Sequence, residues 1–145
     1  MTDLSAKNEI ETHALKWIAA QQQSMQQDLW SLVEINSGSY NVAGVNQVAE
    51  TLAQWSEKLG CHAEFIEMPP QDVVDDSGQL NQQPLGRALR LYKRPQAPVQ
   101  VFLCAHMDTV FPSDHPFQTI TQLEDDIING PGVADLKGGI VVMFK

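Results

Sequence analysis

At 145 residues the chain has the length of one domain and enough material for a hydrophobic core. A hydrophobic share of 43% and a charged share of 19% fit a globular protein and exclude a chain disordered throughout. The net charge of −9 argues against nucleic acid and anionic membrane surfaces, both of which call for a basic face.

No basic segment followed by an apolar block opens the chain, and no window reaches the ~18 apolar residues of a membrane span. Cys61 and Cys104 are too few for a disulfide framework, so the expected setting is reducing and cytoplasmic. The whole stretch 1–145 reads as one unit, without internal repeats.

From about Leu4 to Ile35, apolar residues recur at Ile10, Ala14, Trp17, Ile18, Met25, Leu29, Leu32 and Val33. This spacing predicts helix with one buried stripe, ended by Asn36-Ser-Gly-Ser39. Val45, Val48, Ala49, Leu52, Trp55 and Leu59 predict a second amphipathic helix, with Gly60 as a left-handed cap. Trp17, Trp30 and Trp55 read as core or helix-packing residues. Cys61 to Met68 alternates like a strand and is stopped by Pro69-Pro70. Gln71 to Gly86 reads as an exposed loop, and Arg87 to Lys93 as a strand. Val99 to Ala105 is nearly all apolar, which suits a central strand covered on both faces. A loop spans Phe111 to Phe117. Thr119 to Leu123 and Ile127 to Ile128 predict a short hairpin around Glu124-Asp-Asp126. The turn Gly130-Pro-Gly132 leads to Asp135, with a helix from near Lys137.

These elements predict an α/β fold, with a layered mixed sheet and flanking helices. Ligand chemistry in such sheets gathers at the carboxyl ends of strands. His106 and Asp108 stand at such an end. In extended backbone, residues two apart face the same side, so His106 can bind a metal while Asp108 holds the ring or its surroundings. Zinc favours imidazole nitrogen and carboxylate oxygen. Gly130 and Gly132 let the backbone turn sharply and bring Asp135 close to a site. A carboxylate there can bridge two cations, an arrangement suited to aminopeptidase-like hydrolysis.

Each motif has a plainer reading. A His-x-Asp is often a surface pair, and a Gly-Pro-Gly turn with an Asp is often only a helix N-cap. The glycine turn also has the look of a phosphate loop. However, Asp135 replaces the third glycine of Gly-x-Gly-x-x-Gly, and its charge would repel pyrophosphate. His13 reads as a solvated helix residue, His62 as a strand residue with no partner in view, and Cys104 as a small buried hydrophobe. His115 also gets a plain reading, although its loop lies near enough to the site in sequence to contact substrate. The two motifs in order are more specific than either alone.

Ala105-His106-Met-Asp108-Thr-Val and Gly130-Pro-Gly-Val-Ala-Asp135-Leu-Lys-Gly-Gly resemble the two metal motifs of the co-catalytic dizinc exopeptidases and deacylases. That family includes aminoacylases, glutamate carboxypeptidases, acetylornithine deacetylases and desuccinylases. Leu32-Val-Glu-Ile-Asn-Ser37-Gly-Ser resembles the family's opening. The resemblance implies a zinc-exopeptidase-like catalytic domain with two zinc ions per full-length subunit, cobalt or manganese being alternatives. It implies His106 and Asp135 as metal ligands, Asp135 bridging, and Asp108 as the catalytic acid that orients the site. It also implies a cis peptide at Asp135-Leu136, a small peptide or N-acyl amino acid as substrate, and a homodimer for the full-length protein. The family's general base, a Glu in a Glu-Glu pair beyond the bridging Asp, has no counterpart before Lys145. The expectation is therefore an incomplete fragment of a metallohydrolase. The alternative is a non-catalytic fragment or binding module with a partial metal site.

Overall fold

The computed structural model describes residues 4–124 and 127–145. Four helices, α1 (Leu4–Ala20), α2 (Gln22–Val33), α3 (Val42–Lys58) and α4 (Gly138–Met143), accompany six short strands. These are β1 (His62–Ile66), β2 (Gln71–Val74), β3 (Leu80–Gln83), β4 (Ala88–Tyr92), β5 (Thr121–Glu124) and β6 (Ile127–Asn129). Helix and strand are thus mixed, as expected for an α/β protein. The strands do not join into one layered sheet. They form three separate antiparallel pairs, β1 with β4, β2 with β3 and β5 with β6. Among the described residues no helix is long and apolar enough to cross a membrane.

The core lies where α2, α3 and α4 meet. Leu32, Val48, Leu52, Ile140 and Val141 are buried there, and Met25, Leu29, Trp55, Leu89, Met107 and Phe144 pack around them. Trp55 meets Phe144 edge to face, with ring centroids 5.8 Å apart. The expected amphipathic face of α3 is the one buried: Val45, Val48, Ala49 and Leu52 all point inward. Its ends are capped locally. The Asn41 side chain accepts from the Gly44 N–H. At the other end Gly60 takes φ 66°. Gly60 N–H donates to Glu57 O and Cys61 N–H to Ser56 O, the paired bonds of a Schellman cap.

Gly44 sits where α3 meets the loop after α2. A Cβ there would fall 1.8 Å from the Asn36 carbonyl oxygen, a backbone atom that cannot swing aside. Gly44→Ala should therefore cost at least about 2 kcal/mol, at or above the middle of the overpacking range. An unchanged urea midpoint would contradict this packing.

Helix α1 departs from the expected single stripe. The helix breaks at Gln21, and Ile10, Trp17 and Ile18 are exposed, Ile10 by 70%. Trp30 is exposed as well, leaving Trp55 as the tryptophan that packs in the core region. Periodicity marks a face able to bury itself, and burial requires an opposing surface that α1 lacks among the described residues. The same holds for Val99 to Ala105. No strand pairs with it among the described residues, and Phe102 is 89% exposed. Cys104 is exposed with it, and both cysteines are free thiols. Hydropathy reports the affinity of this run for an apolar layer, and among the described residues no such layer lies against it.

The expected loop 71–86 instead holds the β2–β3 hairpin. Its turn is organised by Asp75, whose carboxylate accepts from Ser77 Oγ at 2.6 Å, Ser77 N at 2.9 Å, Gln79 N at 3.0 Å and Asn81 Nδ2 at 2.8 Å. The Ser77 hydroxyl first, then the Gln79 amide and Asn81, hold its pKa down at about 2 from 3.8. A depressed carboxyl stabilises the turn above its ordinary pKa and loses that contribution as pH falls through about 2. The Asp75 carboxyl carbon should thus titrate near pH 2 by NMR, and a midpoint near 3.8 would rule out this turn in solution. The β5–β6 hairpin forms as expected, while its turn at Asp125 and Asp126 lies outside the described residues.

Candidate metal centre

Two loops carry the candidate residues. The first is the end of the apolar run, pinned to the segment after α2. Thr109 N–H donates to Ser37 O at 2.8 Å, and Ser39 N–H donates to Thr109 O at 3.0 Å. This is a single parallel bridge, Gly38 to Thr109. Asn36 reinforces it, donating to Phe111 O and to Gln118 Oε1. Met107 packs against the core. Its neighbours His106 and Asp108 face the other way, as alternation in extended backbone requires.

The second loop follows the Gly130-Pro-Gly132 turn. Gly132 adopts φ 77°, a conformation that side chains disfavour, and the chain bends tightly over Thr109. Val133–Lys137 make a wide turn in which Asp135 and Leu136 leave helical dihedral angles. The Asp135-Leu136 peptide is cis, as the resemblance implies. Helix α4 then begins at Gly138, one residue after the expected start.

Lys137 anchors this turn. Its side chain is buried, 1% exposed, and Nζ donates to Leu32 O and Ile35 O, each at 2.8 Å. The carbonyl end of α2 is the negative pole of the helix, so a cation is favoured there. Burial alone pulls the lysine pKa down to about 8.

The three sequence-predicted residues come together. His106 Nδ1 lies 3.0 Å from the Asp108 carbonyl oxygen and 3.3 Å from Asp108 Oδ1. His106 Nε2 lies 3.0 Å from Asp135 Oδ1. The Asp108 carboxylate accepts from Ser39 Oγ at 2.6 Å through Oδ2. The result is a chain of contacts from Ser39 through Asp108 and His106 to Asp135. Partial burial opposes charge on His106, but its hydrogen bond to Asp135, the Asp108 carbonyl and both carboxylates outweigh this, so its pKa lies above 6.5.

The donor types suit zinc. A tetrahedral ion with ordinary Zn–N and Zn–O bonds separates its nitrogen and oxygen ligands by about 3.3–3.4 Å. The observed 3.0 Å gap would open by a few tenths to admit one. His106 and Asp135 supply two donors, while Asp108 turns its oxygens to His106 and Ser39. Among the described residues no group of three or more His, Cys, Asp or Glu side chains is arranged around one metal position.

The other histidines are occupied elsewhere. His62 stacks on Tyr92 at 5.3 Å, and His13 lies on exposed α1. His115 packs on the Phe111 ring, and its Nδ1 accepts from Phe117 N–H. Sequence reasoning missed Ser39 and Lys137 as parts of this neighbourhood. For Ser39 a signal existed in Asn36-Ser-Gly-Ser39, which reads as a helix stop and as part of the family-like opening but assigns Ser39 no role. For Lys137 none existed, because nothing in its local pattern marks a lysine for burial. No protein-family model matches the chain, and no curated protein matches it.

Proposed function

We propose that this chain belongs to a zinc-dependent hydrolase that cleaves the amide bond of a peptide or N-acyl amino acid, within a zinc-exopeptidase-like catalytic domain. One observation carries the reading. The Asp108 carbonyl can only accept a hydrogen bond, so it holds a proton on His106 Nδ1. Nε2 faces a second acceptor, Asp135 Oδ1, at 3.0 Å, so without a cation the ring carries a second proton there, in keeping with its raised pKa; on losing that proton Nε2 would present a lone pair. Two acceptors at that distance need a proton or a cation between them. Metal and proton compete for such a seat.

A zinc ion held there would supply Lewis acidity toward an amide carbonyl and would lower the pKa of a coordinated water. The residues of the chain have distinct tasks. His106 and Asp135 would hold the cation. Asp108 keeps the ring in the tautomer that leaves Nε2 free, by its carbonyl at 3.0 Å and its carboxylate at 3.3 Å. The Asp135 side chain is 83% exposed, which leaves room at its outer oxygen for a second cation. Lys137 and Gly132 set the turn that presents Asp135. No Glu lies between Asp135 and Lys145, so none of these residues is assigned as general base.

A binding module with a partial metal site is the second reading, and the two-donor set favours it. Zinc uptake by the protein, followed by hydrolysis of an N-acetyl amino acid and a dipeptide, separates the two. Uptake with hydrolysis supports the enzyme, uptake alone the binding module, and neither result removes both.

A further inference from the structure

We infer that Ser39 is a positioning residue for the metal seat, acting on His106 through Asp108. The inference rests on the metal reading above and extends it to a residue that touches neither metal nor substrate. A carboxylate that steers an imidazole must itself be prevented from rotating. Asp108 has two oxygens with different partners: Oδ1 stands 3.3 Å from His106 Nδ1, and Oδ2 accepts from Ser39 Oγ at 2.6 Å. That short hydroxyl-to-carboxylate bond belongs to the strong, charge-assisted class. Rotation of Asp108 away from the ring would break it.

Ser39 is well placed for this task because its own backbone is held. Its N–H donates to Thr109 O at 3.0 Å, next to Asp108 in the chain. Gly38, just before it, pairs with Thr109, and a Cβ on Gly38 would meet Phe111 O at 2.6 Å. The loop between α2 and α3 is therefore locked against the very segment that bears His106 and Asp108. The hydroxyl has a weaker acceptor in Thr109 O at 3.3 Å, and the shorter Asp108 contact takes the proton. Alanine at this position leaves the Asp108 carboxylate with the ring as its side-chain partner and free to turn toward solvent.

Outer partners of metal ligands are worth about 10–100-fold in affinity. The test is a Co(II) absorption titration of the wild-type protein, Ser39→Ala, Ser39→Thr and His106→Ala, with the Nδ1 proton signal of His106 followed by NMR in metal-free protein. Ser39→Ala should weaken Co(II) binding by about 10-fold, the low end of that range because Ser39 acts through Asp108, and broaden the Nδ1 proton signal. Ser39→Thr, which keeps the hydroxyl, should restore both. Wild-type affinity in Ser39→Ala, with binding abolished in His106→Ala, overturns the role of Ser39 and leaves the metal seat standing. Equal losses in Ser39→Ala and Ser39→Thr also overturn it, because the loop and not the hydroxyl would then be responsible. A wild-type protein that takes up no Co(II) overturns the metal reading and this inference with it.

Discussion

The His106→Ala protein should bind zinc more than about 100-fold more weakly than wild type, a larger loss than removal of an outer partner causes. The expectation follows from the donor count. With two protein donors at the seat, loss of the imidazole leaves Asp135 alone. Asp108 cannot replace it, since its carboxylate is committed to Ser39. Folding stability should change by less than about 0.5 kcal/mol, because the imidazole is 46% exposed and the contacts it loses are surface ion pairs. The two readouts, metal affinity by calorimetry and urea unfolding, should therefore separate cleanly. Asp135→Asn should weaken zinc as well, whereas Asp108→Ala should fall in the milder 10–100-fold range of an orienting partner. Zinc affinity unchanged by His106→Ala would refute the metal seat. Loss of folding together with loss of metal would show that the pair His106–Asp135 is structural.

Lys137→Met should destabilise the protein by about 2 kcal/mol, read as a fall in Tm of about 4–8 °C. Methionine matches the lysine stem in length and keeps the apolar packing, so the change isolates the ammonium. Without it Ile35 O loses its Nζ donor, and Leu32 O retains the long 3.2 Å bond from Ile35 N–H. A buried carbonyl left short of a donor costs about 1–3 kcal/mol, less for the part-buried Ile35 O, and no longer burying a charge offsets part of it. Lys145→Met is the control. Lys145 pairs with Asp28 at 2.8 Å near the surface, and its loss should cost no more than about 1 kcal/mol. A Lys137→Met protein as stable as wild type would mean that desolvation of the ammonium cancels its two bonds. The same variant should also loosen metal binding, because Lys137 ties the Asp135 turn to α2.

Much of the secondary structure was legible in local pattern. Helix α3 could be read because its apolar positions and its Gly60 stop agree, and the structure buries that very face and adds an Asn41 cap. Strand β1 was legible from alternation and from the Pro69-Pro70 stop, and β4 from its apolar residues between Arg87 and Lys93. The β2–β3 hairpin was not, because its residues are polar. It is held by the Asp75 turn and backbone pairing, which hydrophobic periodicity does not record.

The sequence by itself singled out the candidate residues: one histidine, two carboxylates and the glycines that bend the chain near them. It also determined that His106 and Asp108 share a side, since that follows from backbone alternation. Only the tertiary structure decided that Asp135 meets His106 at 3.0 Å, that Ser39 reaches across 69 residues to hold Asp108, and that Lys137 is buried under α2. It also left α1 and the run from Val99 exposed where hydropathy alone predicted cover. The physical reason is common to all of these. Periodicity, propensity and capping act over a few residues, whereas burial and long-range hydrogen bonds depend on which surface arrives opposite, and that is set by packing.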